Sequence, residues 1–358
     1  MSLPGKIAVV SASFGAGHDG AAREIARQLA QAGYAVDRHD FLDVLPGGLG
    51  RYARRAYRRG LKMLPSSWDW ILRASGGSDT PRRVAAALDR VAGERLSAAL
   101  GPDPAAVIST YPLASQLLGQ LRTRGALRAP AITFLTDMSV HPLWVADGVD
   151  AHLALHPIPA GQADALGAAR TCITGAAVDP AFRPARDPVE RRAARAAFGL
   201  PDGPPLALIV AGSWGVGAVD RSAWDVTATG LALPVVVCGE NTALRNRLRR
   251  DGTGIALGWV EDMPTLLRAC DVVVQNAGGL TSLEALASGV PVVTYRALPG
   301  HGRTNAAALA DAGWAAWAHD AGELPRVLAT ALTAPASPLF RRASAADVFA
   351  LLSAGVAA

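Results

Sequence analysis

The chain alternates short, wholly apolar runs with longer segments of helical period, and it does so in two successive series. The runs lie at residues 7–12, 106–109, 131–135, 206–211, 235–238 and 271–274. Unbroken apolar character, without the every-second-residue alternation of a half-exposed strand, predicts strands covered on both faces, which means parallel strands joined by crossover helices. Between the two series stands DPAFRPARDPVERR, within residues 179–205, too rich in proline and charge to supply a core strand. The domain junction is therefore expected near Ala185, giving domains 1–185 and 186–358, with a C-terminal helix packing back on the first. A length of 358 residues suits two such cores. The expected fold class is α/β: two doubly wound, Rossmann-like domains facing across a cleft, with ligands at the carboxyl ends of the strands.

Half the residues are hydrophobic, yet no window reaches the roughly 18 uninterrupted apolar residues of a membrane span. The run from Met1 into a strand pattern predicts no secretory leader, and hence a cytoplasmic protein. Cys172, Cys238 and Cys270 are odd in number and lack a C-x-x-C pair, so they are expected to be core residues rather than disulfide or zinc ligands. Residues 1–185 hold 20 Lys or Arg against 15 Asp or Glu, whereas residues 186–358 hold 15 of each. A basic first half invites a phosphorylated ligand or an anionic lipid surface. With no zinc finger and no RNA-binding aromatic signature, nucleic acid is set aside as a partner.

The first strand runs into Ser13-Phe14-Gly15-Ala16-Gly17-His18, and residues 19–32 follow as a helix with Ala22, Ile25, Ala26 and Leu29 on one face. Glycines before a helix start let the backbone approach a ligand, and the free N–H groups favour oxygen or negative charge. The third glycine of a dinucleotide fingerprint is missing, and an imidazole stands inside the loop. A plain turn capped by His18 is the competing reading. The run at 131–135 delivers Thr136-Asp137, where cleft residues are expected, followed by His141 and Trp144 at fixed offsets. Asp137 with His18 on a neighbouring strand end makes a candidate base pair of residues, against the alternative of a turn aspartate. His152 and His156 are expected to be ordinary strand-end histidines, and no metal site is expected.

In the second half, Gly212-Ser213-Trp214-Gly215-Val216-Gly217 precedes a helix beginning near Val219, a turn suited to a diphosphate. Val260 lies in Gly258-Trp259-Val260-Glu261-Asp262-Met263, which opens another helix. Asn276, Gly278, Gly279, Leu280 and Thr281 lead a strand into a helix start, a phosphate seat without metal, and Glu284 follows one turn later. A further feature lies at Arg51, Arg54, Arg55, Arg58, Arg59 and Lys62, offsets that form one stripe on a helix with no acid among them. Trp68, Trp70, Ile71 and Leu72 follow, so the segment reads either as an interfacial membrane anchor or as a solvated helix face.

Taken in order, SASFGAGHDGAA, TDMSVHPLW, TGAAVDPAF, GWVEDM, GGLTSLEALASGVPVV and the LPG followed by Asn305 resemble the monogalactosyldiacylglycerol synthases and processive diacylglycerol glucosyltransferases. More distantly they resemble the peptidoglycan GlcNAc-transferase that acts on lipid-linked precursors. The resemblance spans Ser11 to about Gly313. It implies a GT-B fold and an inverting hexosyltransferase that needs no cofactor beyond a UDP-sugar as co-substrate. By resemblance Asp137 is the general base and His18 the essential cleft histidine. Gly17, His141, Trp144, Arg54, Arg55, Arg58, Arg59 and Trp68 serve the acceptor or the membrane. Gly212, Ser213, Trp214, Gly215 and Gly217 form the diphosphate loop, the Val260 backbone reads uracil, and Glu284 holds the ribose hydroxyls. Asn276, Gly278, Gly279, Leu280, Thr281, His301 and Asn305 complete the donor side. The expected acceptor is diacylglycerol or a related lipid, with the enzyme peripheral on the inner face of the membrane. Three departures stand out: Asn276 replaces a cation, Gly300-His301-Gly302-Arg303 replaces a Gly-Gln-Glu run that touches sugar hydroxyls, and Ala211 replaces a glycine. Other readings of the residues are a glycosyltransferase of a soluble secondary metabolite, an enzyme like the UDP-sugar 2-epimerases, and a sugar-nucleotide-binding protein without turnover.

Overall fold

A computed structural model describes residues 6–14, 16–55, 79–210, 217–334 and 342–343. These fall into two compact units, one running to Ala177 and taking in residues 342–343, the other running from Val178 to residue 334. In the first, β1 (Ile7–Ser11), β2 (Val36–Asp40), β3 (Ala106–Ser109), β4 (Ala131–Phe134), β5 (Ala151–Ala154) and β6 (Thr171–Ile173) form a parallel six-stranded sheet ordered β2-β1-β3-β4-β5-β6. Every residue of β1, β3, β4 and β5 is buried. Ile7 and Val9 face the helix Ala16–Gln31, while Ala8 and Val10 face a cluster that includes Leu96 and Leu117. Covering both faces is what made β1, β3 and β4 legible as continuous apolar runs, while in β5 the buried His152 interrupts the run.

The second unit contains β7 (Leu206–Val210), β8 (Leu233–Val237), β9 (Ile255–Leu257), β10 (Val272–Gln275), β11 (Val292–Tyr295) and β12 (Ala315–Ala318), all parallel and ordered β12-β11-β10-β7-β8-β9. One face packs on the helices Val219–Thr229, Thr242–Asp251 and Leu324–Thr333 through Ile209, Val236, Val274 and Val293. In each sheet the chain first winds one way and then returns past its starting strand. The reversals fall between β1 and β3 and between β7 and β10. Loops leaving neighbouring strands in opposite directions open a crevice at each reversal.

The units divide between Ala177 and Val178, earlier than Ala185. The intervening residues are fastened to the second unit. Arg183 and Arg186 both pair with Glu190, on the helix Pro188–Ala197, at 2.6 and 3.3 Å. The Arg183 guanidinium holds the Glu190 carboxyl well below the usual carboxylate range, and Arg268 donates to the Ala181 carbonyl at 3.1 Å. The return to the first unit is made at Ala343, whose N–H donates to the Ala176 carbonyl at 2.8 Å while its own carbonyl accepts from Gln28 at 3.1 Å. Among the described residues no helix is long and apolar enough to cross a membrane.

Candidate functional site

The first candidate site lies at the reversal of the first sheet. The helix after β1 starts at Ala16, so His18 sits in its first turn and not in the preceding loop as its neighbouring glycines suggested. The Thr110 hydroxyl, just beyond β3, donates to the His18 carbonyl at 3.1 Å, and Ser11 at the end of β1 donates to Asp19 at 2.6 Å. Both contacts pull the helix start onto the sheet, and Asp19 in the first turn also suits the positive end of the helix dipole. The His18 ring donates from Nδ1 to the Thr110 carbonyl at 2.8 Å, with the Thr136 hydroxyl 3.2 Å from the same nitrogen. A carbonyl oxygen can only accept, so Nδ1 carries a proton, and in the neutral form of the ring the lone pair lies on Nε2. That is the tautomer a proton acceptor or a hydroxyl-positioning group needs.

Asp137 follows Thr136 just past β4 and is half-buried. The strand neighbours β3 and β4 therefore bring His18, through Thr110 and Thr136, to the same end of the sheet as Asp137. His141 precedes a single helical turn, Pro142–Trp144; the Leu143 carbonyl within it and the Val145 carbonyl just after it accept from Gln116 at 3.0 and 2.9 Å. Trp144, expected at the acceptor or the membrane, is 1% exposed. It is buried among Leu135, Ala154, Ala160 and Ala163, and its ring lies 5.9 Å from that of His18 and 6.2 Å from that of His141. Its size and apolar character send it into the core, where it supports the two imidazoles from below. Tyr111 stands edge-on to His18 at 5.3 Å and tilts against Phe14 and Phe41 at 5.7 and 5.6 Å, making the surroundings of His18 aromatic.

Arg54, one of the basic stripe, has partners within the first unit. It donates to the Ser13 hydroxyl and, at 3.1 Å, to Asp40, whose other oxygen accepts the Leu42 N–H at 2.9 Å. The Asp40 carboxylate at the end of β2, which also accepts from Ser13, holds this arginine while leaving its side chain half-exposed. Residues 49–55 are helical, with Arg51, Arg55, Leu49 and Tyr52 exposed, Tyr52 to 72%. Arg58, Arg59, Lys62, Trp68, Trp70, Ile71 and Leu72 lie outside the described residues, as do Gly212, Ser213, Trp214 and Gly215. Gly17 is half-buried in the helix start beside His18.

His152 is fully buried in β5, and burial pushes its ring down to about 4, the Trp144 backbone and Asp164 pulling only weakly the other way. His156 caps the helix Pro157–Ala165, its Nδ1 accepting from the Ile158 N–H at 3.2 Å. Both histidines thus have structural occupations. Among the described residues no three His, Cys, Asp or Glu side chains come together as a metal set.

The second candidate site lies at the reversal of the second sheet. β10 ends one residue later than the apolar run, on Gln275, which the sequence reading passed over. Gln275 is buried, and its Oε1 accepts the Ala277 N–H at 2.7 Å and the Gly278 N–H, while its Nε2 donates to Thr294 at 2.6 Å. A polar residue closing an otherwise apolar strand was the available signal. The amides of Ala277 and Gly278 are consequently spent inside the protein. Those left to an anion belong to Gly279, Leu280 and Thr281, at the start of the helix Leu280–Ala287, which carries half-buried Glu284.

Gly278 has φ +69°, and a Cβ there would stand 2.7 Å from the Asn305 Cβ. Asn305 is itself 1% exposed and donates to the Ala277 carbonyl at 3.3 Å and to His301 Nε2 at 3.2 Å. It therefore ties the loop at Ala277 to the helix start at His301. By accepting on Nε2, His301 carries its proton on Nδ1. Gly217, at φ +99°, abuts Asn276, since a Cβ would fall 2.4 Å from the amide nitrogen. Val260 is half-buried beside exposed Trp259, in the turn that leads to Asp262, whose carboxylate caps the helix Met263–Ala269 by accepting from Thr265 at 3.0 Å.

Residues 18–173 match the family model for monogalactosyldiacylglycerol (MGDG) synthase, and residues 221–332 match that for glycosyl transferases group 1. The processive diacylglycerol beta-glucosyltransferase of Bacillus subtilis (strain 168) is 29% identical over 220 residues, covering 59% of this chain and 56% of that one. The chain thus spans little more than half the length of the curated relative it matches. Among solved structures, Acinetobacter baumannii MurG superposes with a TM-score of 0.55 at 18% identity, over 91% of this chain and 90% of the other. Anabaena HepE in complex with UDP-glucose gives 0.54 at 13% identity, over 99% of each. The fold is that of the GT-B glycosyltransferases, and both halves carry segments matched by glycosyltransferase family models.

Proposed function

We propose that this chain is an inverting, UDP-sugar-dependent hexosyltransferase acting on a hydroxyl of diacylglycerol or a related lipid. The observation that carries the proposal is the His18 ring, held by its Nδ1–H on the Thr110 carbonyl at the sheet reversal, within the segment matched by the MGDG synthase model. The aromatic surroundings of Tyr111, Phe14 and Phe41 favour an apolar acceptor over a strongly hydrated one. In the proposed reaction Asp137 takes the proton of the acceptor hydroxyl, and His18 positions that oxygen through Nε2. The oxygen attacks the anomeric carbon opposite the leaving group. The bond from that carbon to the β-phosphate oxygen breaks, and UDP departs with the electron pair.

Charge developing on the diphosphate is met by the Gly279, Leu280 and Thr281 amides and the start of the helix Val219–Thr229 beyond Gly217. Glu284 accepts from the ribose hydroxyls, the Val260 backbone reads uracil, and His301 offers Nδ1–H to the sugar or its phosphate. No metal is required in this scheme. We place the enzyme on the cytoplasmic face of the membrane as a peripheral protein, docked through exposed Arg51, Arg55, Leu49 and Tyr52.

The test is incubation with a panel of UDP-sugars and diacylglycerol vesicles, soluble hydroxyl acceptors or no acceptor, read by mass spectrometry. A hexosylated diacylglycerol is the expected product. Glycosylation of soluble acceptors alone would reassign the acceptor, and alteration or hydrolysis of the UDP-sugar without any acceptor would reassign the chemistry towards that of the UDP-sugar 2-epimerases.

A further inference from the structure

We propose that Arg296 and Leu298 are positioning residues for the diphosphate end of the donor, forming a strap that fixes the segments at Gly217, Asn276 and His301 to one another. This rests on the nucleotide-sugar reading above. The strap begins just after β11, where Arg296 adopts φ +50°, a left-handed conformation uncommon for a residue with a side chain. What holds it there is a buried anchor. The Arg296 guanidinium donates to a single oxygen of Asp225 from both Nε and Nη2, at 2.9 and 2.7 Å, and the Tyr295 hydroxyl donates to the same oxygen at 2.7 Å. Tyr295 is 1% exposed and Asp225 9%, and the guanidinium lies 5.2 Å from the Tyr295 ring centre. Burial and the adjoining carboxylate push the Tyr295 phenol up to about 12, so it remains a donor at every physiological pH.

Asp225 belongs to the helix Val219–Thr229, the one that leaves the loop ending at Gly217. The anchor therefore ties the turn after β11 to the helix after β7. Two residues further on, the Leu298 N–H donates to the Asn276 carbonyl at 2.7 Å, which engages the turn after β10. The Leu298 side chain reaches the remaining two segments. A Cβ on Gly217 would come 3.2 Å from its Cδ2, and one on Gly302 would come 2.9 Å from its Cβ. One half-buried leucine thus touches the turns after β7 and β10 and the helix start after β11, and both glycines are small enough to let it do so. The sheet alone does not set these turns relative to one another, because each leaves a different strand. Displacement of a binding group by about 1 Å costs on the order of 100-fold in rate, which is the scale on which such a strap acts.

The experiment measures donor KM, acceptor KM, kcat, UDP affinity by calorimetry and thermal melting for Leu298→Ala, Arg296→Gln, Arg296→Lys, Asp225→Asn and the Arg296→Gln/Asp225→Asn double variant. The expected result is a loss of about 10- to 100-fold in kcat/KM for the donor and weaker UDP binding, with acceptor KM unmoved. The double variant is expected to be no worse than its worse parent, because both changes release the same anchor. Should Arg296→Gln fail to fold, Arg296→Lys, which keeps the charge but not the two-pronged donor, and Leu298→Ala carry the test. Variants that melt lower yet keep wild-type donor KM and UDP affinity would reduce the cluster to a stability element and overturn the strap. A wild type that transfers no sugar but binds UDP would sink the transferase reading alone, and UDP affinity of Leu298→Ala would then decide the strap. A wild type that does neither overturns both.

Discussion

At the scale of single residues, chemistry here is decided by which atom of a ring holds its proton. His18 and His301 illustrate the two cases: a carbonyl partner puts the proton of His18 on Nδ1, and an amide donor on Nε2 of His301 does the same from the opposite side. In the proposed reaction Asp137 removes the proton and His18 positions the acceptor oxygen. Asp137→Asn is expected to lower turnover by about 10² to 10⁴ while leaving UDP affinity nearly unchanged, as calorimetry alongside a transfer assay would reveal. Near-normal turnover would take Asp137 out of the mechanism. His152 makes a different kind of prediction. It is neutral when folded and titrates at about 4, against about 6.5 in an unfolded chain. Below pH 6.5 the unfolded state takes up a proton that the folded state refuses, so stability present at neutral pH is lost as pH falls towards 4. The span corresponds to about 3 kcal/mol. His152→Leu should therefore flatten the decline in melting temperature between pH 7 and pH 4.5, and an unchanged decline would show that other groups govern it.

At the scale of elements, the paired glycines after β10 do less than their sequence suggests and the helix start does more. Gln275 captures two amides and thereby turns the loop, leaving the helix Leu280–Ala287 to present its own first N–H groups. Glu284, one turn along the same helix, is the residue to which the proposed function gives the sugar hydroxyls of the nucleotide. Glu284→Ala should weaken UDP binding by roughly 1.5–3 kcal/mol, the range for losing a hydrogen bond to a charged group. The same titration repeated with chelator and with added magnesium should superpose. Strong dependence on the metal would contradict a diphosphate seat built from helix amides.

At the scale of the whole molecule, the basic excess lies in residues 1–185, and part of it is accounted for internally. Arg54 is committed to Asp40 and Ser13, Arg122 to Asp150 and Arg124 to Asp89. Exposed Arg51 and Arg55 remain to face a surface, with Leu49 and Tyr52 beside them. Each arginine near an anionic bilayer contributes about 1 kcal/mol, so Arg51→Ala/Arg55→Ala should reduce co-sedimentation with anionic vesicles roughly 30-fold. Added salt should weaken the wild type in the same direction. Equally weak binding to anionic and neutral vesicles would favour a soluble acceptor.

The sequence by itself determined β1, β3, β4, β7, β8 and β10, where an apolar run marks a strand covered on both faces, whereas no such run marks β5 or β11, which are as well buried. It also located the turns at Asp137, Gly217 and Gly278, since glycine and acid at strand ends are local signals. It did not disclose β2, whose Val-Asp-Arg-His-Asp lies at the sheet edge and is only half covered. Nor did it separate residues that face a ligand from those that hold them in place. Trp144 and Asn305 resemble site residues in sequence, yet both are buried, and Arg54 is paired with Asp40 and Ser13, while Thr110, Gln275 and Asp225 supply the partners that hold their neighbours. The physical reason is distance along the chain. The Thr110 carbonyl meets His18 from 92 residues away, and Asp225 meets Arg296 from 71. Local periodicity records which face of an element is apolar, whereas the partner of a polar atom is chosen only when the strand order brings two remote strand ends together.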